Sequence, residues 1–431
     1  MVKPAVIGKD GRTSALVAAF RRSRHVQGDV PCLAPGKRSG GDIVEDVLAA
    51  ARQHKPDFVF VGPEGPLAIG VVDALQAKLG IPCIGPTQKL AQLESSKAFT
   101  RDLLRRHHIA GNPEYRVFRS REGIEPYCQT LGEFVVKPDG LTGGKGVKVS
   151  GTHLQSAREA GEYADELFRA KHAAVVIEER LDGEEFSLQS FCDGAHVADM
   201  AVVQDHKRAY DGDLGPNTGG MGSYSCPDHR LPFLAEKHRQ AASAINAAVA
   251  AAIAHDTGES YKGVLYGGFM LTRDGVRLLE YNARFGDPEA LNVLSVLKTD
   301  LVDVCEAIIR GTLDRLPVEF EPLATVCKYV VPEGYPDHPL TNERISLARV
   351  PRQSKRLKYY FAAVEEKSDG LYLTGSRAIG FVGIGADLDE AESIAEEAAG
   401  SVDGPVYHRK DIGTRALVQQ RCDHVRRILN T

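Results

Sequence analysis

The chain has 431 residues, of which 43 % are hydrophobic and 26 % are charged, and its formal net charge is −5. This length predicts about two to four packed domains, and the composition is typical of a folded globular protein, which excludes a disordered chain. The acidic balance argues against a nucleic-acid-binding protein and favours small-molecule partners.

The eight cysteines are scattered, with no Cys-x-x-Cys pair, so we expect neither a zinc site nor a disulfide framework. The first residues pass directly into a strand pattern, and no apolar stretch approaches the about 18 residues of a membrane span. We therefore predict a cytoplasmic protein with no membrane partner, which is a monomer or a weak homo-oligomer.

Short apolar runs alternate with amphipathic stretches over residues 1–98, which we predict to be an N-terminal α/β domain with a doubly wound parallel sheet. The predicted strands are 5–7, 58–61 and 81–84, and the predicted helices pass through 15–20 and 67–79. A long helix is predicted over 88–106, with Thr87 as its N-cap.

The middle of the chain, 99–320, is predicted to be a second domain that includes a small subdomain at about 118–184. The elements predicted there are strands at 134–137, 147–149, 174–178, 185–192 and 198–204, helices at 155–170, 235–255 and 296–310, and a hairpin of 264–272 with 276–281. The hairpin is predicted to turn at Asp274-Gly275, and the last helix to end at Gly311.

A C-terminal α+β domain is predicted over 321–431, after a proline-containing boundary. Its predicted strands are 324–331, 371–374 and 378–385, and its predicted helix is 388–399.

The most informative segment is a strand that ends at Lys137 and continues into a loop with Gly143, Gly144, Lys145 and Gly146. Glycines let backbone amides approach phosphate oxygens closely, and a lysine supplies a mobile positive charge. Because another strand follows, the segment is neither a Walker loop nor a dinucleotide fingerprint, and we interpret it as a flap over phosphates. A flexible hairpin with a solvated lysine is the alternative interpretation.

An apolar strand changes into a charged bend at residues 175–187. Backbone groups of Glu179 and Leu181 are candidates for pairing with an adenine edge, and a later carboxylate is a candidate for ribose hydroxyls. On this segment alone, a strand end with exposed acids remains the simpler interpretation.

Glu280 and Asn282 lie two residues apart, so on a strand both face the same side and can share a hard cation such as Mg²⁺. Arg284 has the same parity, and a guanidinium beside a metal suits a migrating phosphoryl group. The alternative is a strand edge joined by ion pairs.

Residues 204–222 contain five glycines and many charges, which is typical of a long ordered loop with a function. The amides of this loop and Asp213 are candidates for binding a small zwitterion. We interpret His206 as a structural hydrogen-bond partner as readily as a catalytic group.

In this order, the segments resemble the ATP-grasp ligases and, within them, closely the glycinamide ribonucleotide synthetases. The resemblance covers nearly the whole chain. It is carried by the motifs at 62–67 (GPEGPL), 85–87 (GPT), 92–99 (QLESSKAF), 137–147 (KPDGLTGGKGV), 205–208 (DHKR), 215–222 (GPNTGGMG), 281–289 (YNARFGDPE), 334–336 (GYP) and 408–413 (HRKDIG).

The resemblance implies an ATP-grasp fold in which two subdomains hold ATP between two sheets, preceded by a doubly wound domain and followed by an α+β domain. It implies the ligation of glycine to 5-phosphoribosylamine in purine synthesis, with ATP and Mg²⁺ or Mn²⁺ as cofactors. The implied intermediate is glycyl phosphate, and the implied products are glycinamide ribonucleotide, ADP and phosphate.

The resemblance also implies roles for particular residues. The phosphates of ATP are assigned to Lys97, Lys137, Gly143, Gly144, Lys145 and Gly146, its adenine to Glu178, Glu179 and Leu181, and its ribose to Glu185. The metal is assigned to Glu280 and Asn282, and catalysis to Arg284 and Asp213. The substrates are assigned to Gly8, Gly11, Arg12, Asn217, Gly219 and Gly220. Since these phosphate and metal residues are present, a non-catalytic nucleotide-binding regulator is a weaker hypothesis.

One loop departs from the family pattern. The family usually has Gly-x-Gly-Gly-Arg-Glu-His-Ala after its first strand, whereas here residues 8–15 read GKDGRTSA, with Asp10, Thr13 and Ser14 in place of the glycine, acid and histidine. Lys37 also stands where asparagine is usual. Both changes lie in the domain expected to receive the amine, so the alternatives are tolerated drift and a ligase of this family with an altered amine acceptor.

Overall fold

The computed structural model describes residues 1–33, 42–143 and 146–430, so Lys37, Gly144 and Lys145 lie outside the described residues. The N-terminal part is a three-stranded parallel sheet in the order β1-β2-β3 with helices after its strands. Its elements are β1 (Pro4–Ile7), α1 (Gly11–Arg21), α2 (Ile43–His54), β2 (Phe58–Val61), α3 (Glu64–Ala68), α4 (Val71–Leu79) and β3 (Cys83–Ile84).

Strands β1 and β2 are buried along their whole length, as expected for a parallel sheet covered by helices. The predicted α/β pattern is confirmed. The helix predicted through 67–79 is divided, because Gly70 adopts a left-handed conformation with φ 78° between α3 and α4.

The single helix predicted over 88–106 is wrong, since the structure has α5 (Gln92–Ser95) and α6 (Lys97–Arg106). Ser96 interrupts them with an extended backbone (φ −141°), and its side chain accepts a hydrogen bond from the Phe99 amide as the N-cap of α6. Thr87 does not cap a helix; its hydroxyl donates to Glu259 at 2.6 Å.

A small subdomain follows, with its own hydrophobic core and a sheet in the order β4-β7-β5-β6. Its elements are β4 (Tyr115–Phe118), α7 (Ile124–Leu131), β5 (Phe134–Pro138), β6 (Lys148–Val149), α8 (Ala157–Arg169) and β7 (Val175–Glu179). Ser156 caps α8 through the Glu159 amide, and the predicted strand, loop, strand, helix and strand are confirmed.

The larger sheet has the order β15-β14-β8-β9 and packs against α9. The elements are β8 (Glu184–Asp193), β9 (Val197–Asp199), β10 (Gln204–Asp205), β11 (Arg208–Tyr210), β12 (Leu214–Asn217), β13 (Gly222–Ser225), α9 (Glu236–Thr257), β14 (Lys262–Thr272), β15 (Gly275–Asn282), α10 (Glu289–Ser295) and α11 (Leu301–Arg310). The predicted β14–β15 hairpin is confirmed, with Thr272 opposite Gly275 across its turn. The last helix begins at Leu301 instead of 296, because the Asp300 side chain caps it, and Gly311 ends it as predicted.

The C-terminal part comprises β16 (Ala324–Pro332), β17 (Thr341–Ile345), β18 (Leu357–Phe361), β19 (Val364–Lys367), β20 (Gly370–Thr374), β21 (Ile379–Gly385), α12 (Leu388–Gly400), β22 (Val406–Tyr407) and α13 (Arg415–Asn430). Its main sheet has the order β10-β13-β16-β21-β18. Strands from the glycine-rich segment 204–225 are therefore part of the C-terminal sheet. The domain boundaries stay a prediction.

Among the helices that the structure describes, none combines the length and the apolar character needed to cross a membrane.

Candidate active site

A pocket lies beside the middle of the larger sheet. Its lining includes Glu185, Ser187, Asp205, Lys207, Tyr266 and Glu280. Strand β14 brings these distant segments together because it pairs with β8 on one side and with β15 on the other. Gly268 of β14 lies opposite Ser187 and Glu280, and its lack of a side chain leaves the floor of the pocket open.

Lys207 stands between two carboxylates of the pocket. Its Nζ lies 3.6 Å from Glu280 Oε1 and 3.7 Å from Glu185 Oε2. Burial alone opposes ionisation of Glu280, but Lys207, Lys137 and Lys97 together hold its pKa below the ordinary value. Glu280 is therefore an ionised oxygen donor in a cationic environment.

Glu280 and Asn282 lie on the same face of β15, opposite Gly268 and Tyr266. The Glu280 side chain is 42 % exposed, and Asn282 is partly exposed. The described residues supply no hydrogen-bond partner for the Asn282 side chain. The Glu280 carboxylate and the Asn282 amide oxygen share one face of β15, and among the described residues Glu280 has no ion-pair partner closer than Lys207 at 3.6 Å. Such a pair of oxygen ligands fits a hard divalent cation. Their metal role stays a prediction.

Lys137 and Glu178 form a buried ion pair at the junction of the two sheets. Lys137 Nζ lies 2.7 Å from Glu178 Oε2 and donates at 3.2 Å to the Leu279 carbonyl of β15. Arg101 makes two hydrogen bonds to the same carboxylate, at 2.7 and 3.0 Å. Burial would raise the pKa of Glu178, but Arg101 and Lys137 outweigh it and lower the pKa to about 2. Glu178 is thus a buried anion that positions Lys137, and its expected contact with adenine stays a prediction.

Lys97 has fewer contacts with described residues than Lys137 has. It begins α6, and its Nζ donates to the Gly140 carbonyl at 2.9 Å, at the start of the glycine-rich loop. It makes no ion pair with any described residue. Burial and the neighbouring Lys137 lower the pKa of Lys97, although Glu280 and other carboxylates oppose this shift. An anion bound here would relieve that repulsion.

The glycine-rich loop is described only in part. Gly143 and Gly146 have positive φ angles of 58° and 84°, and the Gly146 carbonyl accepts a hydrogen bond from the Tyr163 hydroxyl at 2.7 Å. The expected roles of Gly144 and Lys145 concern positions outside the described residues. The flap function stays a prediction.

The segment expected to face adenine follows the end of β7. The Glu179 amide donates to the Glu114 carbonyl, and the Glu179 side chain accepts from the Glu114 amide, both at 2.9 Å. The Glu179 amide is therefore already bonded to Glu114, the residue that precedes β4. Leu181 lies just beyond the strand, and Glu185 is 51 % exposed at the pocket. Their contacts with a nucleotide stay predictions.

Arg284 lies between two carboxylates. Its guanidinium is 3.1 Å from Glu64 Oε2 and 2.8 Å from Glu94 Oε1. Burial would lower the pKa of Arg284, but Glu94 and Glu64 raise it above the ordinary value. The role expected for Arg284 at an acyl phosphate or a glycine carboxylate stays a prediction, and it would require this residue to exchange a protein partner for the ligand.

The N-terminal loop is also internally paired. Arg12 is 2.7 Å from Asp10 and 3.6 Å from Glu64, and it donates to the Phe285 carbonyl at 2.8 Å. Asp10 caps α1 by accepting from the amide and the hydroxyl of Thr13 at 2.9 and 2.7 Å. Burial opposes ionisation of Asp10, yet Arg12 and Thr13 hold its pKa below the ordinary value. Gly8 and Gly11 flank this arrangement, and the substrate role of the loop stays a prediction.

The glycine-rich segment 204–222 is held by the C-terminal domain. Arg377 donates to the carbonyls of Gly219 and Gly220 at 2.8 and 3.0 Å. Asp213 is paired with Arg409 at 2.9 Å and also with Arg421. Asn217 lies opposite Arg208 in the small β11–β12 sheet. The substrate roles expected of Asn217, Gly219, Gly220 and Asp213 stay predictions.

The sequence did not lead us to select three residues that position the pocket or its loops. They are Arg101, Lys207 and Arg377. Lys207 stands inside the DHKR motif, so that motif could have indicated it. Arg101 and Arg377 have no motif of their own, and only their contacts identify them.

Comparison with family models finds three matching domains along the chain. The N domain of phosphoribosylglycinamide synthetase matches residues 2–94, its ATP-grasp (A) domain matches 95–290, and its C domain matches 325–415. The phosphoribosylamine–glycine ligase of Methanoregula boonei is 47 % identical, and the match covers 99 % of this chain and 100 % of that protein.

Solved structures agree with this assignment. The crystal structure of phosphoribosylamine–glycine ligase from Thermotoga maritima matches with a TM-score of 0.79 and 26 % identity, over 95 % of this chain and 100 % of that one. A biotin carboxylase from Campylobacter jejuni, solved as a β,γ-ATP complex, matches with a TM-score of 0.73 at 14 % identity, over 99 % of both chains, which shows the shared fold alone. With all three domain models matched in order, the chain belongs to the phosphoribosylglycinamide synthetase family of ATP-grasp ligases.

Proposed function

We propose that this protein joins glycine to 5-phosphoribosylamine at the expense of ATP, giving glycinamide ribonucleotide, ADP and phosphate. The observation that carries the proposal is a pocket lined by Lys207 and Glu280, with Lys137 bonded to the carbonyl of its lining residue Leu279, in a chain whose three domains all match the family. This pocket combines cations for phosphate oxygens with oxygen donors for a divalent cation.

The chemistry explains why such a pocket is needed. A carboxylate is a poor acyl donor, so the glycine carboxylate first attacks the γ-phosphate of ATP, forming glycyl phosphate and releasing ADP. The amine of 5-phosphoribosylamine then attacks the acyl carbon, the amide bond forms, phosphate leaves and the amine loses a proton. Positioning and charge neutralisation suffice for both steps, and no side-chain nucleophile is required.

In this proposal Lys97 and Lys137 bind phosphate oxygens, and Glu178 acts through Lys137 by fixing its ammonium. Glu280 and Asn282 would hold Mg²⁺ or Mn²⁺, which when bound neutralises charge on the phosphates. The glycine-rich loop would exclude water from the acyl phosphate, which otherwise hydrolyses.

The test is a direct assay of the purified protein with ATP, Mg²⁺, glycine and freshly generated 5-phosphoribosylamine. We expect ADP release that requires both glycine and the amine, and a product whose mass equals that of glycinamide ribonucleotide. Release of ADP no faster than in a heat-denatured sample would overturn the proposal.

A second candidate keeps the ligase chemistry but changes the amine acceptor. It is favoured by one observation: the Asp10 carboxylate caps α1 and pairs with Arg12, in the loop where the family resemblance places the phosphorylated acceptor. An anion at a helix N-terminus disfavours a second anion there. A panel of amines at fixed glycine decides between the candidates, since equal kcat/KM for phosphorylated and unphosphorylated amines would favour the second.

A further inference from the structure

Two aspartates of the segment 204–222 have opposite environments. Asp213 has both carboxylate oxygens paired with arginines of the C-terminal domain, Arg409 and Arg421. Asp205 Oδ1 is buried, and no described residue supplies a hydrogen-bond partner for it. An unpaired buried carboxylate oxygen is costly, so its presence beside a pocket points to a ligand that donates to it.

Asp205 is also in the right place, because it lines the pocket together with Glu280 and Lys207. Asp205 lies on β10, which pairs with β13, so the C-terminal sheet fixes its backbone position. Gly220 covers Oδ1 closely: a Cβ at that position would lie 2.6 Å from it. A larger residue at 220 would displace the carboxylate.

The charged groups around Asp205 favour the binding of one more cation. Glu289 is buried next to Asp205, and its carboxylate accepts from the Tyr266 hydroxyl at 2.7 Å. The two nearby cations have other partners. Lys207 stands between Glu185 and Glu280. Arg377 donates to the carbonyls of Gly219 and Gly220. Burial and Glu289 raise the pKa of Asp205 well above its ordinary value, although Lys207 and Arg377 oppose this shift.

We propose that Asp205 receives the α-ammonium group of glycine and so orients the amino acid in the pocket. This inference rests on the proposed function and adds the residue that selects an amino acid. The ammonium group supplies both the positive charge and the N–H donors that the unpaired oxygen lacks. Glu280 and Asn282 lie on another strand, β15, so the metal ligands and the group that receives the ammonium are separate residues.

The first experiment is Asp205→Asn, which keeps the shape of the side chain and removes its charge. We expect the KM for glycine to rise by about 30-fold or more, because a charge-assisted hydrogen bond is lost, while the KM for ATP changes less than about threefold. The matched control is Asp228→Asn, at an exposed aspartate paired with Arg230, for which both constants should remain unchanged.

The second experiment separates recognition of the ammonium from a structural role. Glycolate has a hydroxyl group where glycine has its ammonium, so the wild-type protein should bind glycolate at least about 30-fold more weakly, measured by calorimetry with a non-hydrolysable ATP analogue present. In Asp205→Asn this preference should shrink to about threefold or less. If the variant fails to fold, the wild-type comparison still decides, because equal binding of glycine and glycolate would overturn the inference.

Three further outcomes would overturn the inference while leaving the proposed function intact. They are an unchanged glycine KM in a folded Asp205→Asn variant, an unchanged glycine preference in that variant, and a higher Mg²⁺ requirement with an unchanged glycine KM. By contrast, wild-type protein that binds glycine with a strong preference over glycolate but forms no product with 5-phosphoribosylamine would contradict the proposed acceptor and leave Asp205 in its role.

Discussion

The candidate active-site pocket and the N-terminal loop both contain basic residues, but the partners of these residues differ. Lys97, close enough to Glu280 of the pocket to lower its pKa, is bonded only to a carbonyl, and Lys207 in the pocket stays 3.6 and 3.7 Å from its two carboxylates. In the loop, Arg12 is 2.7 Å from Asp10, and the neighbouring Arg284 is held by Glu64 and Glu94. The pocket therefore offers positive charge to an anion, whereas the loop has largely neutralised its own.

This difference teaches that a matching motif does not by itself define an available group. Arg12 and Arg284 match the family pattern, yet each is held in a network with carboxylates of the protein. Any anionic substrate must compete with these partners, and desolvated ion pairs are strong competitors. Variants that alter one region and spare the other can break or sharpen this contrast.

The largest effect is expected from Glu280→Gln. The amide keeps the shape but removes a charged oxygen donor from the pocket, so kcat should fall by about 10³-fold, as for loss of a metal ligand. Glu259→Gln is the control, because Glu259 is a partly exposed carboxylate that contacts Lys89 and Thr87 and does not line the pocket. Steady-state ADP release with a circular dichroism check measures both, and a near-normal rate in Glu280→Gln would remove Glu280 from the site.

Glu178→Gln should produce the largest loss of stability. It leaves Arg101 and Lys137 buried without their anion, so the free energy of unfolding should fall by about 3 kcal/mol. The pKa of Glu178 is lowered to about 2, so its contribution is complete above its unfolded pKa of about 4.3 and disappears as the pH falls towards 2.

The measurement is urea unfolding of the wild type and Glu178→Gln at a series of pH values. The difference between them should be constant near neutral pH and shrink below about pH 4.3. A difference that grows on acidification would show that Glu178 is not the anion of this ion pair.

Arg377→Met should have an intermediate effect. It removes the donors that hold the carbonyls of Gly219 and Gly220, so the loop over Asp205 should loosen and kcat/KM for glycine should fall by about tenfold. Arg356→Met, at an exposed ion pair with Glu390 of the same domain, is the control. An equal decrease in both variants would indicate a general destabilisation of the C-terminal domain.

The smallest effect is expected from Asp10→Asn on the acceptor side. Asparagine still caps a helix, so stability should change by less than about 1 kcal/mol. Loss of the carboxylate frees Arg12 from its partner at 2.7 Å, so the KM for a phosphorylated amine should fall several-fold while the KM for ATP stays constant. Acceptor titrations measure this, and a rise in the acceptor KM would show that Asp10 helps to bind the amine.

Much of the fold was predictable because its signals are local. The parallel β1–β2–β3 sheet, the β14–β15 hairpin and the helix ending at Gly311 follow from apolar periodicity and turn residues. The error at 88–106 has a local cause as well, since Ser96 is a strong N-cap within an otherwise helical pattern. The short strands β17 to β19 were missed because so few residues carry weak periodicity. Helices α7 and α13 were also missed, although both are amphipathic and their periodicity could have indicated them.

The sequence by itself determined which segments carry chemistry: glycine spacing, the alternation of Glu280 and Asn282, and the order of the motifs that identify the family. Only the tertiary structure decided which of those groups are free to act. Glu178 meets Arg101 across 77 positions, and Arg284 meets Glu64 across 220. Partners so distant leave no local pattern, because charge pairing depends on distance in space, and folding alone sets that distance.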